Sequence, residues 1–234
     1  YDSSATTKTA TDLGSLIGTT LQNYNTTNLN TFNSPFRHSQ LTGLIDDTDN
    51  SILMNTTTVT MAKLFTPTTT GSTSYTINFN NAFYNPVSGY QNSVIASTGF
   101  YIASASTEYF FDDDGSGNLR IYSITVGVKT YYSSEAGTID YANGLITING
   151  ILISSTSNID GLASTQVRVT ALSDSNDVVP VRNQLLEIDF ANTTVSSKVD
   201  AAATTGVGYT TTTTGTTTST SVSTTKSTTP SSSY

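Results

Sequence analysis

The sequence predicts an α+β fold, mainly β. Short N-terminal helices lead into an antiparallel β-sandwich or barrel-like sheet, followed by a disordered Thr/Ser-rich C-terminal tail. Three observations predict this. Before residue 56 the apolar residues recur at helical spacing, whereas from there to about residue 203 they alternate with polar ones at period two. Threonine, a β-favouring residue, fills about a fifth of the chain. From residue 204 to Tyr234 apolar content collapses into a Thr/Ser tract that cannot bury enough surface to offset its ordering entropy. The expected organisation is a helical segment over 1–55, a β-rich domain over 56–203 and a low-complexity tail over 204–234.

In chain order, Leu13, Leu16, Ile17, Leu21 and Tyr24 form one apolar stripe at i, i+3, i+4, i+8 and i+11. Gly14 and Gly18 weaken that helix, so it must lean on packing. Asn23 to Asn33 is too rich in Asn and Thr to continue it. Ser34-Pro35, a capping residue before a first-turn proline, restarts a short helix burying Phe36, Leu41, Leu44 and Ile45. Asp46, Asp47 and Asp49 end it.

Strands follow at Val59–Phe65 and Tyr75–Phe79, where Tyr75, Ile77 and Phe79 alternate strictly. A polar and aromatic loop runs from Asn80 to Asn92. Val94–Ala103 and Glu108–Phe111 are further strands, broken at Ser104–Thr107. Asp112–Asn118 reads as a turn, with strands returning from Leu119 and over Val126–Tyr132. Asn143-Gly144, between Ile139/Tyr141 and Leu145/Ile146/Ile148, signals a tight hairpin turn. Thr165–Leu172 alternates Val167, Val169 and Ala171 with polar residues. Pro180, set among Val178, Val179 and Val181, belongs to an edge or a strand start. Leu186, Ile188 and Phe190 alternate with Glu187 and Asp189, as in a half-buried strand.

Charge and composition exclude several function classes. The net charge is −8, which argues against nucleic acid or an anionic membrane as partner. Without cysteine there are no disulfides and no thiolate metal sites. No apolar run approaches bilayer length and the N-terminus lacks a signal-peptide pattern. A chain opening on Tyr1 is expected to be a piece of a longer protein.

Catalytic equipment is not legible. His38 is the one histidine, with no nucleophile turn to serve, and reads as a helix-surface or interface residue. Asp112, Asp113 and Asp114 with Gly115 invite a calcium reading. An EF-hand loop would need an oxygen ligand where Phe110 stands and a Glu where Ile121 stands. The run reads as a solvated hairpin turn, with a looser calcium site as the alternative. No catalytic, cofactor or metal residue is nominated. The candidate interface residues are Phe83, Tyr84 and Tyr90, loop aromatics without an evident sheet partner, together with Arg182 and Glu187. Arg182 has two readings: a charge-assisted bond to a partner, or an intrachain pair with Glu187 or Asp189.

The run D-V-V-P-V-R-N-Q-L-L-E-I-D-F (Asp177 to Phe190), followed by N-T-T and later G-V-G-Y-T-T-T, carries a resemblance. It continues upstream in F-N-S-P-F-R-H-S-Q-L-T-G-L-I-D-D-T-D-N-S-I-L (Phe32 to Leu53) and S-T-G-F-Y (Ser97 to Tyr101). It also runs through G-S-G-N-L-R-I-Y (Gly115 to Tyr122) and G-T-I-D-Y-A-N-G-L-I-T-I (Gly137 to Ile148). In their order, these motifs resemble the C-terminal part of the large baseplate wedge subunit of contractile-tailed phages, the J-like baseplate proteins. The nearest forms are those of phages infecting cyanobacteria, and the similarity covers most of the chain up to about Tyr209. The resemblance implies a non-enzymatic virion subunit that meets its own copies and other wedge proteins in a ring around the tail tube. It would assemble in the host cytoplasm and need no cofactor. The alternative is a secreted or surface adhesin-like β module with a Thr-rich stalk.

Overall fold

The fold was obtained as a computed structural model, which describes residues 1–103 and 105–201. The Thr/Ser tail expected from residue 204, and Ser104 in the expected strand break, lie outside the described residues. The chain divides into two compact units, each assembled from separated segments.

The first unit comprises Tyr1–Thr26, Ser39–Thr57 and the described residues 188–201. Helix α1 spans Ala10–Tyr24 and starts at a capping box. Thr9 Oγ1 accepts from the Asp12 amide at 3.2 Å, and Asp12 Oδ2 accepts from the Thr9 amide at 2.9 Å. Its stripe buries Leu13, Ile17, Leu21 and Tyr24, while Leu16 lies at the exposed margin. The Asn/Thr run after it does not end the helix. A π-helical turn, Asn25–Leu29, carries it on and buries Leu29.

Helix α2 spans His38–Asp46 and buries Leu41 and Ile45, leaving Leu44 exposed. Its start is not Ser34-Pro35. Phe36 exchanges backbone hydrogen bonds with Val178 at 2.8 and 3.1 Å, which holds the chain extended until His38. The remaining ties within the first unit are polar. Thr20 and Thr48 hydroxyls meet at 3.0 Å, Lys8 pairs with Asp49, and the Asp2 amide donates to Ser51. Residues 188–201 return to this unit. The Ile188 amide donates to Asn25 Oδ1, the Tyr1 ammonium to the Lys198 carbonyl, and the Asp200 amide to the Tyr1 carbonyl.

The second unit holds the sheet. Its strands are β1 (Thr60–Phe65), β2 (Thr73–Asn78), β3 (Ile95–Ser97), β4 (Phe100–Ile102), β5 (Glu108–Asp113), β6 (Asn118–Thr125), β7 (Val128–Asp140), β8 (Leu145–Ile151), β9 (Ile153–Thr156) and β10 (Val167–Leu172). The hydrogen-bonded order is β1-β10-β3-β5-β6-β7-β8-β2, all antiparallel, with β4 joining β5 to β9. The two ends of that path, β1 and β2, are consecutive in the chain and lie side by side. The Phe65 and Tyr75 rings are 5.0 Å apart, and Lys63 Nζ donates to the Asn78 carbonyl. The sheet is therefore a nearly closed barrel. Its interior is lined by Phe100 stacked on Phe111 at 4.4 Å, with Ile95, Leu119, Ile146, Ile148, Ile153, Val167 and Val169 fully buried.

Three expectations change here. Val94–Ala103 is two strands, β3 and β4, interrupted at Thr98-Gly99, and a Cβ on Gly99 would collide with Glu108 and Ser157. The Asn143-Gly144 turn is a four-residue loop closed by the pair Asp140–Leu145, with Asp140 capping the Asn143 amide and only Gly144 needing positive φ. Residues 184–190 form no strand. Among the described residues no strand pairs with them, and asparagine side chains take over the bonding of the preceding backbone. Asn81 grips both the amide and the carbonyl of Val179 at 2.8 Å. Asn33 Oδ1 accepts from the Asn183 amide at 2.8 Å.

Candidate interface

Residues 174–187 form an irregular strap on the second unit. Asp177 anchors it, accepting from the His38 amide at 2.8 Å and from Arg37 at 3.0 Å. The His38 amide bond first, and the Arg37 guanidinium second, hold the Asp177 carboxyl below the usual range. Val178 and Pro180 are buried, and Asn183 turns the chain at φ 64°. Arg182 and Glu187 are exposed beside the exposed Val179 and Leu185. Among the described residues Arg182 has no ion-pair partner. His38 sits at the start of α2 with its amide committed to Asp177, as fits a helix-end residue.

The aromatic loop separates into two roles. Phe83 is a core residue at 2% exposure, edge-on to Phe79 at 5.3 Å and bridged to Ser173. Its place in the candidate interface is therefore corrected: the loop had a sheet partner after all, the end of β10. Tyr84 and Tyr90 pack edge to face at 5.7 Å and stay partly exposed.

The acidic run is not a solvated turn. Asp112 and Asp113 lie inside β5 at 2% exposure each. Asp113 Oδ1 accepts from the Ser93 hydroxyl and from the Val94 and Ile95 amides at 2.6–2.9 Å. Its Oδ2 accepts from Tyr141 Oη at 2.7 Å. Burial first, and this bond second, push the Tyr141 phenol far above its ordinary value. Asp114 alone makes the turn, taking the Ser116 and Asn118 amides at 2.7 and 3.0 Å and the Asn118 side chain at 2.6 Å. Burial raises the Asp114 carboxyl, and these donors outweigh it to leave a net lowering. The carboxylate oxygens are turned on protein donors, not toward a common cation position.

Asp112 serves a feature the sequence reading missed. Beyond Tyr122 and Tyr131, β6 and β7 leave the sheet as a two-stranded arm. Neither β5 nor β8 pairs with residues 123–133. At its base Arg120 Nε and Lys129 Nζ donate to the two Asp112 oxygens at 2.9 and 2.8 Å. The Arg120 guanidinium lies 4.5 Å from the Tyr131 ring centre, and Lys129 Nζ 3.9 Å from that of Tyr122. Burial lowers both cations, but the Asp112 carboxylate outweighs it and holds them above their ordinary values.

The arm's end is apolar and open to solvent: Ile124, Val126 and Val128 are exposed, Val126 at 97%, as are Tyr131 and Tyr132 at its base. The turn is Val126-Gly127, closed by Thr125–Val128, with φ 51° and 76°. Both positions ask for Asn, Asp or Gly. A β-branched residue there costs about 1–2 kcal/mol, which its own fold does not repay because Val126 touches so little. The signal was present in I-T-V-G-V between Tyr122 and the pair Tyr131-Tyr132, where both faces of one hairpin carry apolar residues.

Among the described residues no helix is long and apolar enough to cross a membrane. No curated protein matches the chain. Residues 1–64, which take in α1, α2 and most of β1, match the family described as baseplate structural protein gp6, C-terminal domain III, and this supports a structural role in a phage baseplate.

Proposed function

We propose that the chain is a subunit of a tail baseplate wedge from a contractile-tailed phage, of the kind that infects cyanobacteria. It assembles in the host cytoplasm into a ring around the tail tube, through contacts with its own copies and with other wedge proteins. It takes no nucleic acid, membrane or cofactor as partner and carries out no catalysis. The match of residues 1–64 carries this reading. The exposed strap supports it, because Arg182 and Glu187 offer a planar donor and an acceptor beside exposed Val179 and Leu185, a mixture suited to protein contact. Tyr84 and Tyr90 add partly exposed rings.

Gold-labelled antibodies raised against the second unit test the reading on purified virions. Label concentrated at the baseplate end of the tail is expected. Label on the head, or on the surface of host cells, would sink it.

A further inference from the structure

Asn-Gly occurs twice in the chain, at Asn143-Gly144 and at Asn149-Gly150. The dipeptide is chemically distinctive, because glycine has no Cβ to keep its amide nitrogen away from the preceding carboxamide. The fold treats the two copies in opposite ways. At the first, Asp140 holds the asparagine by both ends, taking its amide at 3.0 Å and its Nδ2 at 2.7 Å. Gly144 is buried, its carbonyl accepts from the Phe79 amide at 2.8 Å, and the Asn81 backbone lies where a Cβ would stand. Turning the Asn143 carboxamide onto the Gly144 amide would break the Asp140 bond and shift enclosed backbone.

The second copy lies in β8 but outside its ladders. The pairing with β7 stops at Ile148, and the pairing with β2 passes from Ile148–Tyr75 to Ile151–Thr73. Asn149 and Gly150 therefore face Ser74 alone, as a bulge, and have no register partner on either side. Both residues are exposed. The Asn149 carboxamide is held only by the Glu135 carbonyl at 3.5 Å, the outer limit of a hydrogen bond. Gly150 is flanked by the hydroxyls of Ser72 and Ser74, both exposed, so water reaches the pair.

We propose that Asn149 is a site of spontaneous deamidation and that the fold protects Asn143 from the same reaction. The Gly150 nitrogen, giving up its proton to solvent base, attacks Asn149 Cγ. The N–Cγ bond forms, the Cγ–Nδ2 bond breaks, and ammonia leaves with a proton from water. Water then opens the cyclic imide. Cleavage at Cγ yields aspartate, and cleavage at the main-chain carbonyl yields isoaspartate, whose backbone runs through Cβ. The net change is carboxamide plus water to carboxylate plus ammonium, with no oxidant or reductant. Either product adds a negative charge to a chain already at −8, and isoaspartate also lengthens β8 by a methylene at its bulge. The inference rests on the sheet alone and not on the function proposed above.

The test is incubation of the full chain at about pH 8, with a parallel sample in urea, followed by fragmentation mass spectrometry. Modification at Asn149 is expected to exceed that at Asn143 about tenfold in the folded chain, and isoaspartate should be among the products. In urea the two sites should react at similar rates, since only the fold distinguishes them. Gly150→Ala should slow the reaction at Asn149 in both samples, because its Cβ hinders the attacking nitrogen. Asn143 reacting as fast as Asn149 in the folded chain would overturn the proposal. So would an Asn149 that stays intact when folded but reacts in urea, or one that yields aspartate without isoaspartate.

Discussion

Strand β6 is bounded by two turns that obey opposite rules. At its start, Asp114–Gly117 is built from residues that such a turn demands. Asp114 gathers three donors, Gly115 and Gly117 supply positive φ, and the loop carrying Tyr90 lies so close that a Cβ on Gly115 would strike its backbone. At its end, Val126-Gly127 puts an apolar, β-branched residue where asparagine belongs, with open space around it. The first turn is composed for the fold. The second leaves an apolar side chain in open solvent, and the fold bears the strain. The contrast teaches that residue choice at a turn separates an end the fold packs around from one that stands free of it.

The largest expected effect comes from the structural end. Asp113→Ala strands the Val94 and Ile95 amides and the Tyr141 hydroxyl in a buried setting. It should cost about 3–5 kcal/mol in urea unfolding. A loss below about 1 kcal/mol would mean that this end is not held as described. Gly115→Ala should follow at about 2–4 kcal/mol, combining left-handed strain with a collision against Tyr90. Gly127→Ala, at a similar φ but with nothing nearby, should cost only about 1 kcal/mol. Equal losses would erase the distinction between the two turns.

Val126→Asn should raise stability by about 1 kcal/mol, read as a higher melting temperature, because the new residue accepts the turn's backbone. A fall would show that valine is seated for the fold's own sake.

The smallest effect concerns alkaline pH. Tyr141 has its folded-state pKa raised, so its protonated form contributes stability that is complete below its unfolded pKa near 10. That contribution is lost as pH climbs through the interval above it. Tyr141→Phe should therefore flatten the decline of wild-type stability above about pH 10, and identical slopes would exclude the coupling.

Much of the sheet was legible because period-two alternation reports which face is buried. Tyr75/Ile77, Val167/Val169/Ala171 and Ile146/Ile148 all sit on strands as read. The helices were placed by their stripes but not by their ends. Phe36's bridge to Val178 and the cap from Asp177 are contacts across about 140 residues, which no local pattern encodes. The strap misled for a related reason. Alternation at Leu186, Ile188 and Phe190 looks like a strand, yet a strand exists only where a neighbour supplies a ladder, and here the Ile188 amide is taken by the Asn25 side chain instead. In the candidate interface Arg182, Glu187, Tyr84 and Tyr90 were found exposed or partly so, while Phe83 was taken by the core. The arm went unnoticed because alternation cannot distinguish a strand that continues a sheet from one that leaves it.

The return of residues 188–201 to the first unit has a consequence for timing. That unit binds the Tyr1 backbone to Lys198 and Asp200 and Asn25 to Ile188, so its closing contacts connect chain positions separated by the whole second unit. On the ribosome, α1 and α2 emerge first yet must wait for Thr58–Glu187 to be made before their last segment arrives. At about 5–20 residues per second that delay is on the order of ten seconds, long compared with helix formation. Newly made helices therefore spend that interval without the hydrogen bonds that Ile188, Lys198 and Asp200 later bring to Asn25 and Tyr1. The second unit, complete at Glu187 on its own segments, is free to fold ahead of the unit whose synthesis began before it.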